Sequence, residues 1–157
     1  MVLIEATDDD FLNLIQSRAP RGLRLPPEGL ERPEVLAMLQ GLANTIRAVF
    51  SPASWMMVEN GEVVGLCSIV KEPSGNGLDV GYGVSPSRRG MGFASAAVGK
   101  LVEWGQHDDR VHCIRAETSV HNRSSQHVLE SNGFERVGER VDDEDGEMIC
   151  WTVVTAN

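Results

Sequence analysis

The stretch Arg88-Arg89-Gly90-Met91-Gly92-Phe93-Ala94 holds the residue types best suited to chemistry on an anion. It falls where a strand-like run, Leu78–Val84, gives way to a helical pattern beginning near Gly92, just past Pro86. A bare loop at a helix N-terminus presents unpaired backbone N–H groups and the positive end of the helix dipole, which suits a pyrophosphate. Gly90 and Gly92 let a ligand approach the backbone, and Arg88 and Arg89 add positive charge. The same glycines would also permit a tight turn with no ligand, an ambiguity that short motifs carry. A dinucleotide fingerprint is set aside, because Gly81 and Gly83 are followed by Pro86 where its third glycine would stand.

Leu78, Val80, Tyr82 and Val84 share one face of the preceding run, and Asp79, Gly81 and Gly83 share the other. Two glycines beside an acid leave room that side chains would otherwise fill; a strand weakened by glycine, with an acid at its solvent end, is the plainer alternative. His107, His112, His121 and His127 show no metal-ligand spacing, so no metal is expected. Ser124 and Ser125 have no evident Asp–His partners, which argues against serine-hydrolase chemistry.

These residues need a frame, and periodicity predicts one. Val2–Ala6 alternates as a short strand, and Asp8 is placed to cap a helix over about Asp9–Gln16. From Arg18 to Pro33 the chain carries Pro20, Pro26, Pro27 and Pro33 with Gly22 and Gly29, an irregular connection. Pro33 suits the first turn of a second helix reaching about Val49, with Val35, Leu36, Leu39, Leu42, Ala43 and Ile46 as its buried stripe. Trp55–Glu59 and Glu62–Lys71 flank Asn60-Gly61, the dipeptide suited to a type I′ hairpin. After Leu78–Val84 comes a helix to about Gln106, then a strand at Val111–Ser119 and a helix at Asn122–Ser131, stopped at Asn132-Gly133. Strands at Phe134–Val141 and Met148–Val154 close the chain. The order β-α-α-β-β-β-α-β-α-β-β predicts an α+β domain, one mixed sheet with helices on both faces.

Arg89–Ala94 resembles the Arg/Gln-x-x-Gly-x-Gly/Ala motif of the Gcn5-related N-acetyltransferases (GNAT). Leu78–Val84 resembles the family's fourth strand, and His121-Asn122-Arg123-Ser124-Ser125 through Asn132-Gly133-Phe134 resembles its Asn-x-x-Ser/Ala helix ending in Gly-Phe. With Gly138 and Trp151 the likeness covers about Trp55–Val154, whereas residues 1–50 match only in layout. It is closest to the branch that acetylates protein N-termini, typified by ribosomal-protein acetyltransferases, and to its small-molecule relatives. The resemblance implies one GNAT domain over residues 1–157, a mixed, mostly antiparallel sheet of about seven strands, and a splay between strands 4 and 5.

The resemblance further implies direct transfer of an acetyl group from acetyl-CoA to a primary amine in a ternary complex. The acceptor would be a protein N-terminus or a small molecule. Tyr82, Gly83 and Val84 would hold pantetheine and the acetyl carbonyl, the loop from Arg88 to Ala94 the phosphates, and Asn122 and Ser125 further parts of coenzyme A. An ammonium has no lone pair, so a base must take its proton. Asp79 stands where this branch often carries glutamate, and Glu117, near the end of the neighbouring strand, is the reserve or a surface acid. Many members carry a tyrosine seven residues after the asparagine as acid for the departing thiolate; Leu129 stands there. In the N-terminal-acetylating branch a serine has that role, and Ser125 matches it, although first-turn serines are commonplace and Asn122 is equally a helix N-cap. The missing tyrosine keeps open a non-catalytic acyl-CoA-binding or regulatory domain. In the family the segment between the first two helices commonly borders the acceptor cleft. Here Arg18, Arg21, Arg24 and Arg32 outnumber Glu28 and Glu31, so Arg21 and Arg24 are candidates to read a carbonyl or acidic group beside the amine, or else belong to a solvated loop.

Composition agrees with this reading and excludes others. A chain of 157 residues supports one good core. A net charge of -9 argues against a general grip on nucleic acid and would steer a cationic amine inward. No apolar run approaches the roughly 20 residues that span a bilayer, and residues 1–15 lack the regions of a signal peptide. Cys67, Cys113 and Cys150 form no Cys-x-x-Cys pair and are expected as small core residues in a reducing cytoplasm. The expectation is a cytoplasmic enzyme without nucleic-acid or membrane partners, with a homodimer left open.

Overall fold

Local rules place the first elements of the structure, a computed structural model that describes residues 1–156. Thr7, not Asp8, caps α1 (Asp8–Ile15): its side chain accepts from the Asp10 N–H, and the Asp10 carboxylate accepts from the Thr7 N–H at 2.8 Å. This reciprocal box starts the helix one residue earlier than the pattern predicts. α2 (Pro33–Arg47) opens on proline as expected and ends two residues before Val49. Asn60 and Gly61 adopt φ of 49° and 77°, joining β2 (Ser54–Glu59) to β3 (Glu62–Ile69) in the expected tight hairpin.

With β1 (Val2–Glu5), β4 (Gly77–Val84), β5 (Cys113–Ser119), β6 (Glu135–Asp142) and β7 (Gly146–Val154), the strands form one sheet in the order β1-β2-β3-β4-β5-β7-β6. Among the named strands of the described residues, only β4 and β5 run parallel, and α3 (Phe93–Gln106) makes the long crossover that a parallel pair needs. A fourth α-helix, α4 (Arg123–Ser131), links β5 to β6. The α+β class, the mixed and mostly antiparallel sheet and its seven strands match the sequence reading.

The two sides of this sheet are distinct. Val35 and Leu39 of α2 face Leu66, Ser68, Gly81 and Gly83. On the opposite side, Gly105 of α3 lies against Ile114, whose β4 partner is Leu78, and Trp104 packs edge-on against Trp55 at 5.1 Å. Trp151, Met56, Ile69, Leu101 and Ile114 are fully buried in the core, each contributing about 1.5–3 kcal/mol of apolar burial. Cys67 belongs to this core, where burial pushes its thiol up to about 12; Cys113 and Cys150 are half-buried, so the core expectation fails for them. No helix among the described residues is long and apolar enough to cross a membrane.

β4 and β5 part soon after they meet. They pair at Gly77↔Cys113, Leu78↔Ile114 and Asp79↔Arg115 only. Beyond these, β4 stays with β3 as far as Val84, and β5 stays with β7 as far as Ser119. The Val70 N–H donates to the Asp79 carbonyl and the Ser85 N–H to the Val64 carbonyl, so the odd-numbered backbone groups of β4 face β3. By alternation, the N–H groups of Tyr82 and Val84 face the gap.

Candidate functional site

The turn from Ser85 to Gly92 carries the chain from the gap into α3. Gly90 and Gly92 adopt φ of 74° and 81°, which disfavours any side chain, and a Cβ at either would meet nothing within 4 Å. α3 has no side-chain cap and no acid in its first turn. The Ala96 N–H is the first to bond back, to the Gly92 carbonyl at 3.0 Å, so the amides before it have no helical partner. Exposed backbone donors at a dipole's positive end are thus assembled as the sequence suggests. The two arginines differ from that expectation in having partners. Arg88 grips Glu62 through two bonds of 2.6 and 2.9 Å, and exposed Arg89 donates to the Val84 carbonyl at 3.2 Å. Met91 is exposed.

Inside the gap, the Tyr82 hydroxyl lies 2.7 Å from Ser125 Oγ. Asn122 positions that serine by accepting its N–H at 3.1 Å as the α4 cap. Burial raises the Tyr82 pKa, an effect only partly opposed by the Ser125 hydrogen bond. Leu129 is fully buried, so the position where the resemblance expects a tyrosine is core here. Tyr82, Glu117, Ser119, Asn122 and Ser125 line one cleft. Arg140 binds Glu117 and holds its carboxyl below the usual range, against the opposing effect of burial. Asp79 is gripped by Arg115 at 3.2 and 3.0 Å, where β4 and β5 are still joined, and is not on the cleft wall. Of the two acids proposed from sequence, Glu117 reaches the cleft.

Across the sheet, the connection from Arg18 to Pro33 is fastened rather than loose. Arg21 donates to Asp10 Oδ1 at 3.0 Å and to the Glu5 carbonyl at 2.9 Å. Burial of Asp10 would raise its pKa, but Arg21 and Thr7 outweigh this and hold the carboxyl low. Arg24 bridges the hairpin: its N–H donates to Gly61 at 2.8 Å, its carbonyl accepts from Val63 at 2.8 Å, and its guanidinium binds the Asn60 carbonyl. Neither arginine lines the cavity between α2 and β4, whose walls include Leu30, Val35 and Leu39. At the far end, Glu28 accepts from the Ser85 hydroxyl at 2.6 Å and the Ser87 N–H at 2.9 Å, which lowers its pKa to about 2. That latch ties the connection to the turn before α3.

Sequence reasoning missed three contributors: the Tyr82 hydroxyl, the Glu28 latch and the apolar wall from α2. For Tyr82 a signal existed, since it is the chain's one tyrosine, on the face of β4 opposite Gly81 and Gly83. Asn132, read only as a helix stop, donates to the Ser95 carbonyl at 3.1 Å and holds α4 beside the start of α3.

Residues 1–135 match the family model described as acetyltransferase (GNAT) domain. The chain is 33% identical over 84 residues to the uncharacterized N-acetyltransferase YjdG of Bacillus subtilis (strain 168), covering 52% of this chain and 50% of that protein. It is 32% identical over 101 residues to the uncharacterized N-acetyltransferase p20 of Bacillus licheniformis, covering 64% and 53%. The chain spans about half the length of the curated relatives it matches. Among solved structures, RimL, a ribosomal alpha-N-protein acetyltransferase in complex with coenzyme A, aligns with a TM-score of 0.73 at 17% identity, over 97% of this chain and 92% of that one. A chimera of the Vibrio cholerae spermidine N-acetyltransferase SpeG aligns at 0.71 and 16% identity, over 99% and 96%. At such identities the likeness establishes the fold.

Proposed function

The chain belongs to the GNAT acetyltransferase family, and on that premise we propose that it transfers an acetyl group from acetyl-CoA directly to a primary amine. The observation that carries this reading is the parting of β4 from β5 after Asp79, next to the bare turn that opens α3. A pyrophosphate would rest on the amides from Gly90 to Ala94, with Arg89, whose guanidinium is held only by the neutral Val84 carbonyl, as the cation beside it. The N–H groups of Tyr82 and Val84 face the gap and would receive pantetheine and the acetyl carbonyl. As the amine nitrogen attacks, negative charge grows on that oxygen, and preoriented backbone donors stabilise it.

Collapse of the tetrahedral intermediate breaks the carbon–sulfur bond and leaves a thiolate that needs a proton. Ser125 would donate it, replenished through the Tyr82 hydroxyl 2.7 Å away, in place of the tyrosine that Leu129 replaces. For the amine, Glu117 is the better-placed acceptor, working through water. Because Arg140 holds the Glu117 carboxyl below the usual carboxylate range, the rate at neutral pH should follow the fraction of free amine rather than a carboxylate titration. A peptide N-terminus and a small amine are both within this reading.

Acetyl-CoA at 100 times its dissociation constant should stabilise the protein by about 2.7 kcal/mol, and an amine should then release free thiol. Absence of both effects rejects the reading. Stabilisation without thiol release from any amine would support the non-catalytic alternative, which the buried Leu129 keeps in view.

A further inference from the structure

We infer that the acceptor is a primary amine carried on an apolar, branched-aliphatic or aromatic body, and that this body lodges between α2 and the Gly81–Gly83 face of β4. The inference rests on the acetyltransferase reading and narrows its acceptor. A cavity of about 210 Å³ lies there, bounded by the same β4 residues, Tyr82 and Val84, whose N–H groups face the gap. An acceptor seated in it would meet the acetyl group from the side opposite Ser125.

The walls decide the chemistry. Leu30, Val35 and Leu39 close it from one side, and Leu66 and Val70 from the sheet. Depth comes from glycine: a Cβ on Gly83 would meet nothing within 4 Å, and one on Gly81 would come within 3.3 Å of Val70. Polar groups are few. Ser68 is buried with its hydroxyl 2.7 Å from Ser54 Oγ, so it is already engaged. Exposed Glu31 accepts from the Arg32 N–H at 2.9 Å, and exposed Arg89 donates to the Val84 carbonyl. One carboxylate and one cation therefore sit at the rim, with no carboxylate among the residues of the inner wall. A polyamine would have to place its second ammonium against Leu30, Val35 or Leu39 without a counter-charge, and an uncompensated charge on apolar surface is strongly disfavoured. A branched hydrocarbon body instead gains from every methylene it buries.

The test is a thiol-release assay with acetyl-CoA and five acceptors: isoamylamine, phenethylamine, a peptide beginning with leucine, the same peptide beginning with serine, and spermidine. At least one apolar acceptor should exceed spermidine and the serine peptide by tenfold or more in kcat/KM. Turnover of isoamylamine would assign a small-molecule acceptor, and turnover of the leucine peptide alone a protein N-terminus. Leu39→Asp should cut kcat/KM for the apolar acceptor at least tenfold while leaving the KM for acetyl-CoA within twofold. Val70→Asn, on the opposite wall, repeats the test if Leu39→Asp misfolds, and acetyl-CoA-induced stabilisation verifies the fold of each variant. Preference of the unmodified enzyme for spermidine or the serine peptide overturns this inference and leaves the acetyltransferase reading intact. So does an equal loss for all five acceptors in both variants. Thiol release from no amine defeats the reading beneath it.

Discussion

The turn before α3 and the connection from Arg18 to Pro33 meet at Ser85, yet they are built in opposite ways. The turn works with backbone: two glycines at positive φ, a helix start without a side-chain cap, and, before Ala96, amides without helical partners. The connection works with side chains, since Arg21, Arg24 and Glu28 each bind a distant element. A ligand site made of amides shows itself in sequence as glycines beside a helix start. A fastening made of side-chain hydrogen bonds does not, because an arginine that holds α1 looks the same in sequence as one that would hold a substrate.

Asp10→Ala should produce the largest effect, destabilising the fold by about 3 kcal/mol in chemical denaturation, because it removes the reciprocal half of the capping box and the charge-assisted bonds that Arg21 and the Thr7 N–H make to the buried carboxylate. Folding lowers the Asp10 pKa. Its stabilisation is therefore complete above the unfolded value of about 3.9 and is lost as pH falls through the folded value, so parent and Asp10→Asn should converge in acid. A raised acceptor KM in Arg21→Ala, at unchanged stability, would instead restore Arg21 to substrate recognition and break the contrast.

Gly92→Val should weaken acetyl-CoA binding about a hundredfold, or about 2.7 kcal/mol, measured by calorimetry. The variant should fold, because the added Cβ meets no protein atom, with a stability loss of about 1–2 kcal/mol from the left-handed backbone. Undiminished binding would show that the turn does not seat the coenzyme.

Tyr82→Phe should lower kcat about tenfold with little change in the KM for acetyl-CoA, since it removes the partner of Ser125 and leaves the backbone N–H in place. Glu117→Gln should lower kcat/KM for the amine by a similar factor, and Asp79→Asn by less, because Asp79 lies off the cleft wall. The reverse order would return the base to Asp79.

Glu28→Gln should have the smallest effect at neutral pH, a slight fall in melting temperature. Folding lowers the Glu28 pKa from 4.5 to about 2. Its contribution is thus complete above about 4.5 and fades as pH falls towards 2, where parent and variant should become indistinguishable. A larger effect on activity than on melting would make the latch part of the site.

Legibility followed the range of the interaction. The Asn60-Gly61 hairpin, the Pro33 helix start and the Gly90–Gly92 turn depend on φ values that neighbouring residues dictate, and all were readable. The α1 cap is ambiguous in sequence because Thr7, Asp8, Asp9 and Asp10 put several capping residue types in a row, and only the reciprocal bonds of Thr7 with Asp10 distinguish them. Cys113 and Cys150 looked apolar enough for the core but lie on strands whose outer face is only half covered.

By itself the sequence determined the order of elements, the family motif and the bare turn, because each is set by residues within a few positions of one another. Tertiary structure alone decided which acid reaches the cleft, that Tyr82 meets Ser125 43 residues away, that Arg21 and Arg24 are engaged elsewhere, and that α2 lines an apolar cavity. Those outcomes depend on where β4 leaves β5 and on which sheet face each helix covers. Such contacts join side chains far apart along the chain, and residue type and spacing do not encode which distant groups will meet.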